Sequence, residues 1–132
     1  MPAPKSLPTY VYKIVDSAPP SPLPDVYPLS ELDKHDGFVH LSTSWQVPIT
    51  ADLFFASHTT LHLIKIRLAP RLSQVKWDDP PDENDGCPHL YGSFGAADVE
   101  SVETFEKASG GGGGGGGGQS WKEVFASSGW LE

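Results

Sequence analysis

The stretch DGFVHLSTSWQVPITADLFF, Asp36 to Phe55, decides the fold, because turn, strand, hydroxyl-rich corner and helix follow one another there without a gap. Asp36-Gly37 is a chain-reversing dipeptide, and Phe38 to Leu41 is a short apolar run interrupted by one imidazole, the pattern of a strand entering a sheet. Alternation on a strand puts Phe38, His40 and Ser42 on one face and Val39 and Leu41 on the other. Ser42, Thr43 and Ser44 can cap a helix or offer hydroxyls to a ligand, and Pro48 suits the first turn of a helix carrying Ala51, Leu53, Phe54 and Phe55. The sequence places a polar site at His40.

Towards the N-terminus, Ser30 to Lys34 reads as one helical turn capped by Ser30. Five prolines between Pro19 and Pro28 exclude a regular helix or central strand and imply an extended excursion. Tyr10 to Val15, YVYKIV, is a strand whose Tyr10, Tyr12 and Ile14 oppose Val11, Lys13 and Val15; with both faces mostly apolar, it is expected to be central. Residues 1–9 are a flexible tail. Towards the C-terminus, Leu61 to Leu68, LHLIKIRL, is expected as a half-buried strand, and Gln74 to Trp77 as a shorter one. Asp78 to Asp85 holds five carboxylates and two prolines and reads as an exposed acidic loop. Cys87 to Gly92 sets His89 and Tyr91 between Pro88 and Gly92, and Val99 to Phe105 is the last strand, with Val99, Ser101, Glu103 and Phe105 on one side. The nine glycines of residues 110–118 are a flexible linker without the spaced pattern of a phosphate loop. Ser120 and Glu123 form a capping box that starts a helix over 120–128, expected to fold back on the domain with Trp130-Leu131 docking its end. Residues 10–132 thus form one domain.

The chain has 132 residues, 38% of them hydrophobic, enough for a core without metal or disulfide support. One cysteine, Cys87, excludes an internal disulfide and fits a reducing compartment. No run of about 18 apolar residues and no signal or transit segment is present, so a cytoplasmic, monomeric protein away from the membrane is expected. The formal charge of −8, with 17 acidic against 9 basic residues, argues against nucleic acid.

His40 and His89 stand out among five histidines because each lies in a run dense in turn-forming and hydroxyl-bearing residues. An imidazole there can exchange a proton or donate to a ligand, or it can serve as a structural hydrogen-bonder. His35, His58 and His62 read as surface or packing residues. His40, His89 and Cys87 lack metal-site spacing, so no metal is expected. No G-x-S-x-G elbow exposes Ser42 or Thr43 as a nucleophile. His40 and His89 are therefore the candidate catalytic pair, with Asp36, Ser42, Thr43, Trp45 and Tyr91 as candidate ligand-binding residues.

Tyr12-Lys13-Ile14, Asp36 to Thr43, Gln46-Val47, Thr50-Ala51 and Cys87 to Gly92 together resemble the Y-K-I, D-G-F-I-H-L-S-T, Q-V, T-A and F-P-H-L-Y-G motifs of domain-of-unknown-function family 952. The likeness runs from about Tyr10 to Phe105. It implies an α+β fold similar to the ADP-ribosyltransferases, with split antiparallel or mixed β-sheets, a few short helices and an NAD-binding cleft beside His40. Val39 to Ser42 also resembles the H-V-H-L-S stretch of NAD-dependent RNA 2'-phosphotransferases. Those enzymes rely on basic residues, whereas Arg67 and Arg71, the two arginines here, lie outside the matched motifs. Two expectations follow. One is a domain that binds a nucleotide, NAD-like or other small polar metabolite, with NAD-dependent transferase-like activity if it is an enzyme. The other is a non-catalytic scaffold that keeps the fold.

Overall fold

The computed structural model describes residues 6–78, 86–107 and 120–131. The glycine run, the acidic loop beyond Asp78 and residues 1–5 of the expected tail lie outside them. The described chain runs β1 (Tyr10–Val15), α1 (Glu31–Asp36), β2 (Val39–His40), α2 (Val47–Phe54), β3 (Thr60–Arg67), β4 (Val75–Asp78), β5 (Cys87–Leu90), β6 (Val99–Glu106) and α3 (Trp121–Ala126), with 3-10 turns at Ala69–Gln74 and Ala96–Asp98.

The strands form two three-stranded sheets, β1-β3-β6 and β2-β5-β4, in which every pair is antiparallel. The fold is α+β. The sheets meet where Tyr12 N–H donates to the Ser42 carbonyl (2.7 Å) and Ser42 N–H to the Tyr12 carbonyl (2.9 Å). The central strand of the first sheet is β3, so β1 does not hold the expected position. Its two apolar faces reflect cover above and below, which is a different property from having a hydrogen-bonded neighbour at each edge. Tyr12 and Ile14 pack with Leu63, Val47, Ala51 and Trp121 on one face, and Val11 packs with Ile64, Val39 and Leu90 on the other. For the same reason β3 is buried on both faces rather than half-buried.

In β6 the expected alternation fails at one residue. Lys65 pairs with Ser101 and Ile66 with Val99, which leaves Glu100 as an extra residue. A bulge of this kind moves the residues beyond it to the opposite face. Val99 accordingly packs with Ile66, while Phe105 stays with Leu61.

Local signals fix the helices. Ser30 Oγ accepts the Asp33 N–H at the start of α1 (3.1 Å), and Gly37, at φ +82°, ends it in the left-handed conformation that glycine adopts without strain. Pro48 sits in the first turn of α2, but the cap position belongs to Gln46 rather than to one of the three preceding hydroxyls. The Gln46 side chain instead accepts the Thr43 N–H and donates to the Gly86 carbonyl, both at 3.1 Å. α3 covers 121–126, shorter than the 120–128 expected, and it does fold back. Asp52 of α2 accepts from the N–H groups of Trp121 (2.7 Å) and Lys122 (3.1 Å), and the Trp121 indole donates to the Phe55 carbonyl (2.9 Å). Trp130 docks beyond it, donating to Ser101 Oγ (3.0 Å).

The proline-rich excursion is pinned by Tyr27 N–H to Phe94 (2.7 Å) and Ala96 N–H to Pro24 (2.9 Å). A Cβ at Gly95 would lie 1.6 Å from the Asp25 carbonyl oxygen, so only glycine fits this approach.

Candidate functional site

In the second sheet His40 of β2 lies directly opposite His89 of β5. Opposed residues of an antiparallel pair share a face, which brings the two rings to 5.5 Å between centroids. Phe38 lies over both, stacked on His89 at 4.2 Å and tilted against His40 at 4.6 Å. The residues from Cys87 to Leu90 form a strand, which tolerates Pro88 because that residue is asked for its carbonyl on the β2 side, where it accepts the Leu41 N–H (3.1 Å).

Both nitrogens of His40 meet carboxylates. Nδ1 is 2.7 Å from Asp33 Oδ1 and Nε2 is 2.9 Å from Asp36 Oδ2. A neutral imidazole has one N–H, so the imidazolium is the form that donates to both. Asp33 is 1% exposed, accepts the His40 backbone N–H (3.2 Å) as well, and pairs through its other oxygen with buried Lys13 (2.8 Å). Burial pushes the Asp33 carboxyl pKa up, but the hydrogen bond and charge of Lys13 and the hydrogen bonds from His40 outweigh it and leave it below the ordinary carboxylate value. Asp36 is also held below that value, first by its hydrogen bond from His35 and then by His40.

With Asp33 buried behind them, Lys13, His40 and Asp36 of this network line one wall of a cleft of about 810 Å³. Four of the seven expected site residues line it: His40, His89, Ser42 and Asp36. The other three do not. Thr43 is fully buried, and its Oγ1 has no hydrogen-bond partner among the described residues. Trp45 is exposed elsewhere, and Tyr91 packs on Phe38 (5.1 Å) beneath the Lys76 ammonium (4.7 Å from its ring) without facing the cleft. The remaining wall is largely apolar, with Ile14, Val15 and Leu32 beside Phe38, Phe54 and Phe55. Among the described residues no group of three or more His, Cys, Asp or Glu is placed to hold a metal ion, and no helix is long and apolar enough to cross a membrane.

The Lys13–Asp33 pair escaped the sequence reading. Its signal was a lysine on an otherwise apolar strand facing a helix with several acids, but α1 alone does not tell which acid turns inward. Both arginines serve the structure away from the cleft. Arg71 makes a two-pronged pair with Asp98 (3.0 and 3.1 Å), and Arg67 binds Glu100 and the Val99 carbonyl.

The geometry at His40 is therefore that of an oriented imidazole opening on a mainly apolar cleft with hydroxyls nearby. Comparison with known proteins adds kinship without chemistry. The crystal structure of protein CC0527 from Caulobacter crescentus is similar at a TM-score of 0.67 and 24% identity, covering 89% of this chain and 99% of that one. The solution structure of the same protein gives a TM-score of 0.59 and 25% identity over 74% of this chain and 85% of that one. No curated protein matches. A family model described as protein of unknown function, DUF952, matches residues 22–102, which take in α1, the His40 strand and the His89 strand, and the chain belongs to that family.

Proposed function

We propose that this domain binds a small polar metabolite in the cleft at His40, and that His40 is the group that gives or takes a proton there. One observation carries the reading: the His40 ring, oriented at Nδ1 by the buried Asp33 carboxylate and held at Nε2 by Asp36, lines a cleft of about 810 Å³ that also takes in Asp36, His89 and Ser42. A buried Asp behind an imidazole fixes the ring's orientation and stabilises its protonated form, the arrangement that acid–base chemistry uses. Asp36 holds the second nitrogen, so a ligand acceptor approaching it competes with that carboxylate. A nucleotide or NAD-like ligand is the class that the resemblance to ADP-ribosyltransferase-like folds favours.

A thermal-stabilisation screen of nucleotides and NAD fragments tests this. The parent should gain melting temperature with at least one of them, and His40→Ala and His89→Ala should each lose that gain while remaining folded. A blank screen, or variants that respond like the parent, would contradict it.

A second reading, a non-catalytic scaffold, draws on Leu32, Leu53 and Phe54, which expose large apolar side chains on α1 and α2. Phe54 is 71% exposed. Leu32 and Phe54 also line the cleft, so Leu53, which does not, separates the readings: Leu53→Ser should weaken a protein contact while leaving metabolite binding intact.

A further inference from the structure

The charges around the cleft narrow what can enter it. Lys13 and His40 are the cationic groups whose partners are fixed, and both are spent on carboxylates, Lys13 on Asp33 and His40 on Asp33 and Asp36. Asp16 adds another carboxylate to the lining, 57% exposed at its side chain and 3.4 Å from His58 Nε2. The arginines, the usual partners of phosphate, are bound to Asp98 and Glu100 outside the lining. A phosphate entering here would meet the Asp16 carboxylate and an Asp36 already shared between His40 and His35, with Lys13 as the one lysine of the lining and that one paired with Asp33. Phe38, Phe54 and Phe55 line the same space, and the face of an aromatic ring attracts positive charge.

From this charge and aromatic distribution we infer that the cleft takes the flat, positively charged or amine-bearing part of a ligand, with Asp36 and Asp16 facing its charge and the phenylalanine rings its plane. This rests on the reading of the cleft as a small-molecule site and names what that site selects. A ligand that also carries phosphates must keep them outside. The alternative of a phosphate-first site at Lys13 would require that lysine to leave Asp33, taking from a buried carboxylate the cation on its Oδ2 while His40 keeps only Oδ1.

Phenethylamine, phenethyl alcohol and phenylacetate share a ring and a chain and differ in charge, so their affinities separate the contributions. Binding is measured by titration calorimetry at about 0.15 M salt, where the Debye length of about 8 Å screens the distant charge of the acidic chain. The amine should bind about tenfold more tightly than the acid, with the alcohol between. In the double variant Asp16→Asn, Asp36→Asn the amine should fall to the affinity of the alcohol. Phenylacetate binding as tightly as the amine, or an unchanged preference in the double variant, overturns the inference and leaves the cleft reading standing. If none of the three binds but a phosphorylated nucleotide from the screen does, and binds more tightly than its phosphate-free nucleoside, the inference is likewise overturned. If neither series binds, both readings fall.

Discussion

Two lysines are buried in the same sheet, one on each face, and they are treated in opposite ways. Lys13 of β1 ends on the Asp33 carboxylate, which continues through His40 to Asp36 and the cleft. Lys65 of β3 donates to the Trp130 carbonyl and lies over the rings of Trp130 (4.5 Å), Tyr10 (5.1 Å) and Tyr12 (6.0 Å). One face meets its ammonium with a carboxylate and ends at a cleft. The other surrounds it with aromatic rings and is closed by α3 and the segment after it. The chain thus seals one face with its own C-terminal segment and leaves the polar network of the other beside open space.

Breaking the sealed side should have the largest effect. Trp121 is fully buried and its indole N–H is satisfied by Phe55, so Trp121→Ala should cost about 3 to 5 kcal/mol, read from denaturant unfolding. Unchanged stability would mean that α3 does not close this face. On the polar side, Asp33→Ala leaves the Lys13 ammonium buried without its carboxylate and should cost about 3 kcal/mol. Adding Lys13→Met should recover much of that loss, and failure to recover would show that Asp33 acts through His40 alone. Trp130→Ala should cost about 2 kcal/mol, since the ring is only half-buried but packs on Tyr12 and covers Lys65.

The smallest and sharpest contrast is in pH. Asp33 has its carboxyl pKa depressed in the folded protein, so the stability it contributes is complete above the unfolded carboxylate value of about 4 and is lost as pH falls through the lower folded value. Asp33→Asn should therefore make the acid limb of the stability curve shallower. Asp36 and Asp98, also depressed, would keep it from becoming flat. Trp121→Ala should lower the whole curve without changing its shape, and a parallel downward shift for Asp33→Asn would contradict the assignment.

What the sequence made legible follows the same division. Caps and periodicity are local, so Ser30 at α1, the Ser120–Glu123 box at α3 and the alternating faces of YVYKIV could be read directly. Burial on both faces of that strand was legible, but its place at a sheet edge depends on which partner supplies the hydrogen bonds, and that is decided far away in the chain. The bulge at Glu100 has no marker in VESVETFE, and Pro88 masked a strand because its neighbour β2 is only two residues long. At the site, the alternation at Phe38, His40 and Ser42 predicted the shared face that lines the cleft. Opposition of His40 and His89 needed a register, and Asp33 needed a lysine twenty residues away. Thr43 looked like a ligand-facing hydroxyl beside Ser42, yet alternation turns it away from the face that Ser42 occupies.

The most direct test of the central claim is imidazole and indole NMR of the selectively labelled protein during titration with phenethylamine. The His40 and His89 ring signals should shift together and saturably, while the indole N–H of Trp130, on the sealed face, stays where it is. Shifts confined to Trp130, or movement of His40 without His89, would contradict a single ligand site at the two histidines.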